Sequence, residues 1–307
     1  MNADKRLKES GKINSNRLKA VNYFPKPDEF LKGGYLRAVA SLPAKAAEMA
    51  GYLPEFAKQA CSEEIKLGSF TARFIPGPFE DQLRDMAYDL FHTEGVSFYY
   101  FSDDACVSAR CTDGVFVFNM DISKCDGSHY EPIFKILKEI YSKCQDYSKD
   151  VKLALRQFST KLCVLTDDGE EHFMYAVDPF TGRKGAKVAM SGSVFTTVLN
   201  NIANLCIFSQ ICELWQGGDG ASFQETVRIA AARAGYAITM QHAPIPEKLQ
   251  FLKISFTPSF DPFVNLGCYL KKWGMKRGDL EGRKSVSLDL RYRRYLSSVV
   301  RGRMNWG

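Results

Sequence analysis

Three β-rich runs follow one another between Val96 and Asp121 with almost no chain between them, and nothing else in these 307 residues narrows the fold as much. Val96–Phe101 ends at Ser102-Asp103-Asp104, and Ala105–Arg110 follows at once. Thr112-Asp113-Gly114 turns the chain again, and Val115–Met120 ends on Asp121. The turn residues make this a three-strand antiparallel meander. Adjacency of its first hairpin and its last strand is then almost forced, because only one tight turn links them.

Helices and further strands surround the meander, so the fold class expected is α+β. An amphipathic helix spans Glu80 to His92, with Leu83, Met86, Ala87 and Leu90 on one face. Residues 43–66 read as helical, 21–41 as turn-rich, and 131–145 and 148–159 as helices. Leu162–Leu165 and His172–Val177 frame a hairpin around Asp167-Asp168-Gly169-Glu170, and Asp-Gly is the usual signal for a two-residue turn. A long apolar helix runs from about Phe195 to Leu214. Gly217-Gly218-Asp219-Gly220 breaks it ahead of a helix over Gln224–Ala234, a strand at 236–240 and another at Gln250–Phe256.

Several function classes are excluded or disfavoured. The opening residues carry no apolar run behind the charges, unlike a signal peptide. No stretch of 18 apolar residues occurs; the nearest, Val198–Trp215, is interrupted by Asn200, Asn201, Asn204, Gln210 and Glu213. The nine cysteines include no Cys-x-x-Cys pair and are odd in number, which argues against a zinc or disulfide framework and for a reducing compartment. Charge is unevenly spread. Residues 1–37 carry nine Lys/Arg against four Asp/Glu, residues 271–307 eleven against three, and the middle is net −7 although the chain is net +6. Basic ends around an acidic centre suit a protein that holds a polyanion near a cation site.

Two short constellations carry chemistry. Asp121-Ile-Ser-Lys-Cys-Asp126 sets two aspartates just past a strand. Ser191-Gly192-x3-Thr196-x3-Asn200 opens the long helix; Thr196 and Asn200, four apart, share a helix face. Together these resemble motifs A and B of viral RNA-dependent RNA polymerases. Gln250-Phe-Leu-Lys-Ile-Ser-Phe256 is similar to their motif E, and Lys26, Lys32 and Arg37 resemble the basic motif F. The resemblance covers roughly residues 21–256.

Such polymerases carry a motif C, an acidic pair at a hairpin tip. In the common order it follows motif B, where only Gly218-Asp219-Gly220 stands, with one carboxylate and no room for a first strand. Phe98-Tyr-Tyr-Phe-Ser102-Asp103-Asp104-Ala-Cys-Val fits better, and its position upstream of Asp121 resembles the permuted C-A-B order of permutotetravirus and birnavirus polymerases.

The resemblance implies a right-hand polymerase: fingers over 1–90, palm over 91–130, an insertion over 131–188, palm again over 189–260, and a short thumb or basic region over 261–307. It implies two Mg2+ ions, with Mn2+ as a substitute, held by Asp103, Asp104 and Asp121 and clamping the attacking and leaving oxygens. Asp126 and Asn200, with Ser191, Gly192 and Thr196 nearby, would read the ribose 2′-hydroxyl. Lys26, Lys32 and Arg37 would neutralise the triphosphate, and Lys248 or His242 would protonate pyrophosphate. Partners implied are template and nascent RNA, nucleoside triphosphates and other viral replication proteins, in host cytoplasm. Three rivals stand beside it: a non-permuted protein with a degenerate motif C at Asp219, a non-catalytic RNA-binding replication factor, and a reverse transcriptase, against which the Asp126/Asn200 pair argues.

Overall fold

The computed structural model describes residues 64–77, 79–142 and 195–264, the strand segments 21–25, 38–41, 162–165 and 170–175, and a few single positions between 155 and 193. It is a mixed α/β protein of two compact units. One comprises residues 1–26, 36–61 and 124–203; the other comprises 27–35, 62–123 and 204–307.

The second unit is built on the meander. Strands β5 (Val96–Phe101), β6 (Asp104–Cys111) and β7 (Gly114–Ile122) pair antiparallel in sequence order. Strands β3 (Ile65–Leu67) and β4 (Phe70–Phe74) extend the sheet on one side, and β10 (Ile238–His242) on the other, giving the order β10-β7-β6-β5-β4-β3. All its pairings are antiparallel except β4 with β5. Helix α1 (Glu80–His92) is the connection those two parallel strands require.

Because side chains alternate along a strand, the sheet has two distinct faces. Phe98 and Phe118 lie on the back. Phe98 packs against Phe208 of helix α4 (Thr196–Leu214), and Phe118 against Phe223 of α5 (Gly220–Arg233). The front face carries Tyr99, Cys106 and Val117 into a core with Leu83, Met86 and Leu90 of α1, and with Leu249, Phe251, Ile254 and Phe256. Phe251, Ile254 and Phe256 belong to a small antiparallel sheet of β11 (Gln250–Phe251), β12 (Ile254–Phe256) and β13 (Pro262–Val264), which Leu249 immediately precedes.

The other unit holds a four-stranded sheet, β2-β1-β8-β9, formed by Val21–Pro25 (β1), Ala38–Ser41 (β2), Leu162–Leu165 (β8) and Glu171–Met174 (β9). Helices α2 (Cys125–Ser128) and α3 (Glu131–Ser142) belong to it, as does the first part of α4. Its aromatic core brings Phe134, Phe158, Phe195 and Tyr141 together.

Several elements differ from the sequence reading. Residues 21–25 and 38–41 are strands rather than turns, paired with each other, and 21–25 also pairs with β8. Residues 65–67 are strand, not the end of a helix; the rest of the expected helix over 43–66, and most of that over 148–159, lie outside the described residues. Helix α5 starts four residues earlier than its apolar period suggests, because Asp219 caps it. Gln250–Phe256 is a hairpin, not one strand, turning at Leu252-Lys253 with both residues left-handed (φ 52° and 65°). The β8–β9 connection spans five residues, not a two-residue Asp-Gly turn, since Leu165 pairs with Glu171. Among the described residues no helix is long and apolar enough to cross a membrane.

At the entrance to β5 the chain passes very close to the β3–β4 turn. Val96 N–H donates to the Ser69 carbonyl at 2.9 Å, and a Cβ on Gly95 would meet that oxygen at 2.0 Å. Backbone cannot yield as a flexible side chain can. Gly95→Ala is therefore expected to destabilise the fold by about 2 kcal/mol or more, read as a lowered urea midpoint with an unchanged m-value.

Candidate functional site

The β5–β6 hairpin closes on two residues. Phe101 pairs with Asp104, which leaves Ser102 and Asp103 as the loop. Ser102 has φ 56°, the left-handed conformation that a tight hairpin asks of its first loop residue and that glycine usually supplies. The tip is held from outside: the Asn204 amide of α4 donates to the Ser102 carbonyl at 2.6 Å.

Register then does the decisive work. In the β6–β7 ladder Asp104 lies directly opposite Asp121. Opposed residues of an antiparallel pair point to the same face, with Cβ atoms about 4.5–5.5 Å apart. Asp103, one residue before Asp104, adds a third carboxyl at the turn. The sequence reading paired Asp121 chiefly with Asp103; the ladder puts Asp104 in the opposed position and Asp103 at the tip. Burial, then the neighbouring charges of Asp103 and Asp121, push the Asp104 carboxyl up from 3.8 to about 6, while Lys253 pulls the other way. Among the described residues no three of His, Cys, Asp and Glu stand as a preformed metal cage. Carboxylates in neighbouring and opposed positions are nonetheless the donor type a hard divalent cation takes, and their mutual repulsion is what a cation would relieve.

The front face around the carboxylates is clamped in place. Asn119 lies two residues before Asp121, on the same face. Its amide donates to the Lys248 carbonyl and accepts from Gln250 N–H, both at 2.9 Å. Cys106, opposite Asn119, reaches the Gln250 carbonyl at 3.5 Å. These contacts seat the β11–β12 hairpin beside the acidic end of the ladder. That is why exposed Lys253, at the turn, influences Asp104.

The two general-acid candidates fare differently. Lys248 sits in that clamped segment with its side chain exposed. His242 pairs with Phe118 and stacks on Phe116 at 5.3 Å, on the back of the sheet, so the structure does not bring it to the carboxylates.

Asp219 has a structural role. Its carboxylate accepts from Ser222 N–H at 2.8 Å as the N-cap of α5. Asp113, from the β6–β7 turn, accepts from Gly220 N–H at 2.9 Å. The β6–β7 turn is the far end of the ladder from Asp104. Seven strand rises separate Asp104 from Cys111, roughly 23 Å, so Asp219 and Asp121 share no ion.

In the other unit, Lys124 adopts φ 50° and turns the chain into the single turn α2, which carries Asp126. Asn200, 1% exposed on α4, donates to Asp126 at 3.4 Å. Its carbonyl oxygen lies 2.8 Å from Nε2 of buried His129. Burial holds the His129 pKa below its usual value, against the opposing effects of Asn200 and Asp126. Thr196 begins α4 in a half-buried position, its N–H bonded to the Ser193 carbonyl at 3.2 Å. Ser191, Gly192, Lys26, Lys32 and Arg37 lie outside the described residues.

Four residues of this geometry escaped the sequence reading. Asn204 continues the four-residue spacing of Thr196 and Asn200, a signal that was present. His129 follows Asp126 by three residues, just past the single turn of α2. Asn119 left no signal, and Lys253 stood out only as part of the Gln250–Phe256 run, since their roles depend on which face the 248–256 segment covers. Compared with models of protein families and with characterised proteins, the chain matches none.

The opposed carboxylates give a stability signature. A carboxyl raised in the folded state is easiest to bury when protonated. Its contribution is complete below about pH 4 and is lost as pH rises through about 6. In divalent-free buffer the melting temperature should fall across that window, by the equivalent of about 2–3 kcal/mol. Asp104→Asn should flatten the fall, as thermal melts from pH 4 to 7 would read directly.

Proposed function

We propose that the chain is a template-directed RNA polymerase of the permuted type, extending RNA from nucleoside triphosphates during viral genome replication. The observation that carries this reading is the register that opposes Asp104 to Asp121 with Asp103 at the adjoining hairpin tip. A hairpin bearing an acidic pair beside a strand bearing a third aspartate is what the resemblance requires of motifs C and A. Here the order along the chain is C before A. The mostly antiparallel sheet backed by helices is compatible with a right-hand palm; most of the expected fingers over 1–90, and the expected thumb beyond residue 264, lie outside the described residues.

Asp103, Asp104 and Asp121 would hold two magnesium ions, with manganese as a substitute. When bound, such ions supply charge neutralisation at the triphosphate and a lower pKa at the attacking 3′-hydroxyl. The protein's own part is positioning. The Asn119 clamp and the Asn204 tether fix the carboxylates, and the Asp126–Asn200 pair would select the ribose through its 2′-hydroxyl. Lys253 adds positive charge beside Asp104, and Lys248 stays the candidate proton donor for pyrophosphate. RNA, nucleotides and other replication proteins are the proposed partners, in the host cytoplasm.

The non-permuted alternative is disfavoured by what Asp219 does. Its oxygen is committed to the start of α5, at the far end of the ladder.

Nucleotide incorporation on a short RNA template with Mg2+ or Mn2+ tests the reading. Asp104→Ala and Asp121→Ala should each cut kcat at least about 100-fold. Asp219→Ala should keep kcat within about twofold while losing about 1 kcal/mol of stability, as for a missing N-cap. Activity that survives Asp104→Ala but not Asp219→Ala would overturn the permuted order.

A further inference from the structure

We propose that His129 is a positioning residue that sets which way the Asn200 amide faces, and thereby the ribose selectivity of the Asp126–Asn200 pair; this rests on the polymerase reading above.

A carboxamide has one donor end and one acceptor end of nearly equal size, so it can sit either way round in a buried slot unless its partners choose. Asn200 is almost completely buried, and its contacts with His129 and Asp126 are unequal. The Oδ1 contact with His129 Nε2 is 2.8 Å, near the optimum for such a bond. The Nδ2 contact with Asp126 is 3.4 Å, at the outer limit. Of these two contacts the shorter, better bond holds the amide the more firmly, and it is the one to His129.

The network is self-consistent in one form. Asp126 carries acceptors when ionised, so it requires the amide nitrogen. The oxygen must then face the imidazole, whose Nε2 must carry a proton to donate. Reversing the amide would set Oδ1 against a carboxylate and Nδ2 against an N–H, losing both bonds in a buried place. Local structure delivers His129 to this role. Asp126 lies in the single turn of α2, and His129 follows it in extended backbone (φ −65°, ψ 136°) with its ring buried. The two are three residues apart, which puts both within reach of one Asn200 side chain.

Ribose selection depends on a correctly facing amide, so its loss should register in KM for ribonucleotides more than in the chemical step. The test is single-nucleotide incorporation with ribo- and 2′-deoxyribonucleoside triphosphates. It compares wild type with His129→Leu, which has no donor, and with His129→Gln, which keeps one. His129→Leu should lower the ribo-to-deoxy ratio of kcat/KM about tenfold, through ribonucleotide KM, with deoxynucleotide kinetics nearly unchanged. His129→Gln should restore the ratio to within about threefold. Should His129→Leu not fold, His129→Met provides a second side chain without a donor and must give the same result. An unchanged ratio in a folded donor-less variant, or an equal loss with both nucleotides, overturns the role of His129 while leaving the polymerase reading intact. A wild-type protein that incorporates no nucleotide overturns both.

Discussion

Two like charges set directly across from each other in a β-ladder are a penalty, and the Asp104–Asp121 pair is the point around which the larger sheet is organised. Opposed like charges cost up to about 1 kcal/mol even at exposed positions, and partial burial of Asp104 adds to that. A free ladder would escape by slipping one residue. This one cannot, because β6 and β7 share eight consecutive pairs, from Asp104–Asp121 to Cys111–Gly114. A slip by one would exchange the faces of every side chain, exposing Phe118 and Met120 or burying the carboxylates. The core on both faces thus holds in place a contact that its own electrostatics would reject.

Helix α5 fixes the other end of the same ladder. Asp113 and Asp219 both receive N–H groups from its first turn, and Thr112 N–H donates to the Gly218 carbonyl at 2.9 Å. Gly220 lies so close to the Phe116 ring that a Cβ would meet it at 2.3 Å. The aspartates at the two ends of this ladder therefore differ in surroundings: Asp113, with Asp219, accepts N–H groups at a helix N-terminus, whereas Asp104 faces Asp121.

Much of this was legible in the residues. The meander, the amphipathic helix over 80–92 and the long helix to Leu214 follow from period and turn chemistry, and the acidic hairpin tip from Ser102-Asp103-Asp104. The misses have separate physical causes. Strand β1 pairs with β8, about 140 residues away, as well as with β2, and no local pattern encodes a partner that distant. Leu252-Lys253 has none of the glycine or asparagine that announces a tight turn, so a hairpin read as one strand. Asp104 took precedence over Asp103 through register alone: turn composition identifies an acidic tip, but only the pairing of Phe101 with Asp104 says which carboxyl continues the strand.

Backbone strain follows the same map. Of the five non-glycine residues with positive φ among the described residues, Ser102 forms the acidic tip, Lys124 turns the chain toward Asp126, and Leu252 and Lys253 form the hairpin beside Asp104. Each such position costs on the order of 1 kcal/mol or more and persists only where its surroundings over-determine it. Those surroundings can be named: Asn204 on the Ser102 carbonyl, the Ser123 N–H on the Ala237 carbonyl just before Lys124, and Phe251 and Ile254 buried on either side of the 252–253 turn. Glycine at these turns would be less strained, yet it would also loosen the hairpin tips in the folded chain. Strained residues pinned by hydrogen bonds and a packed core hold their neighbours to one geometry. That is what a group of carboxylates needs if it is to receive a cation without rearranging.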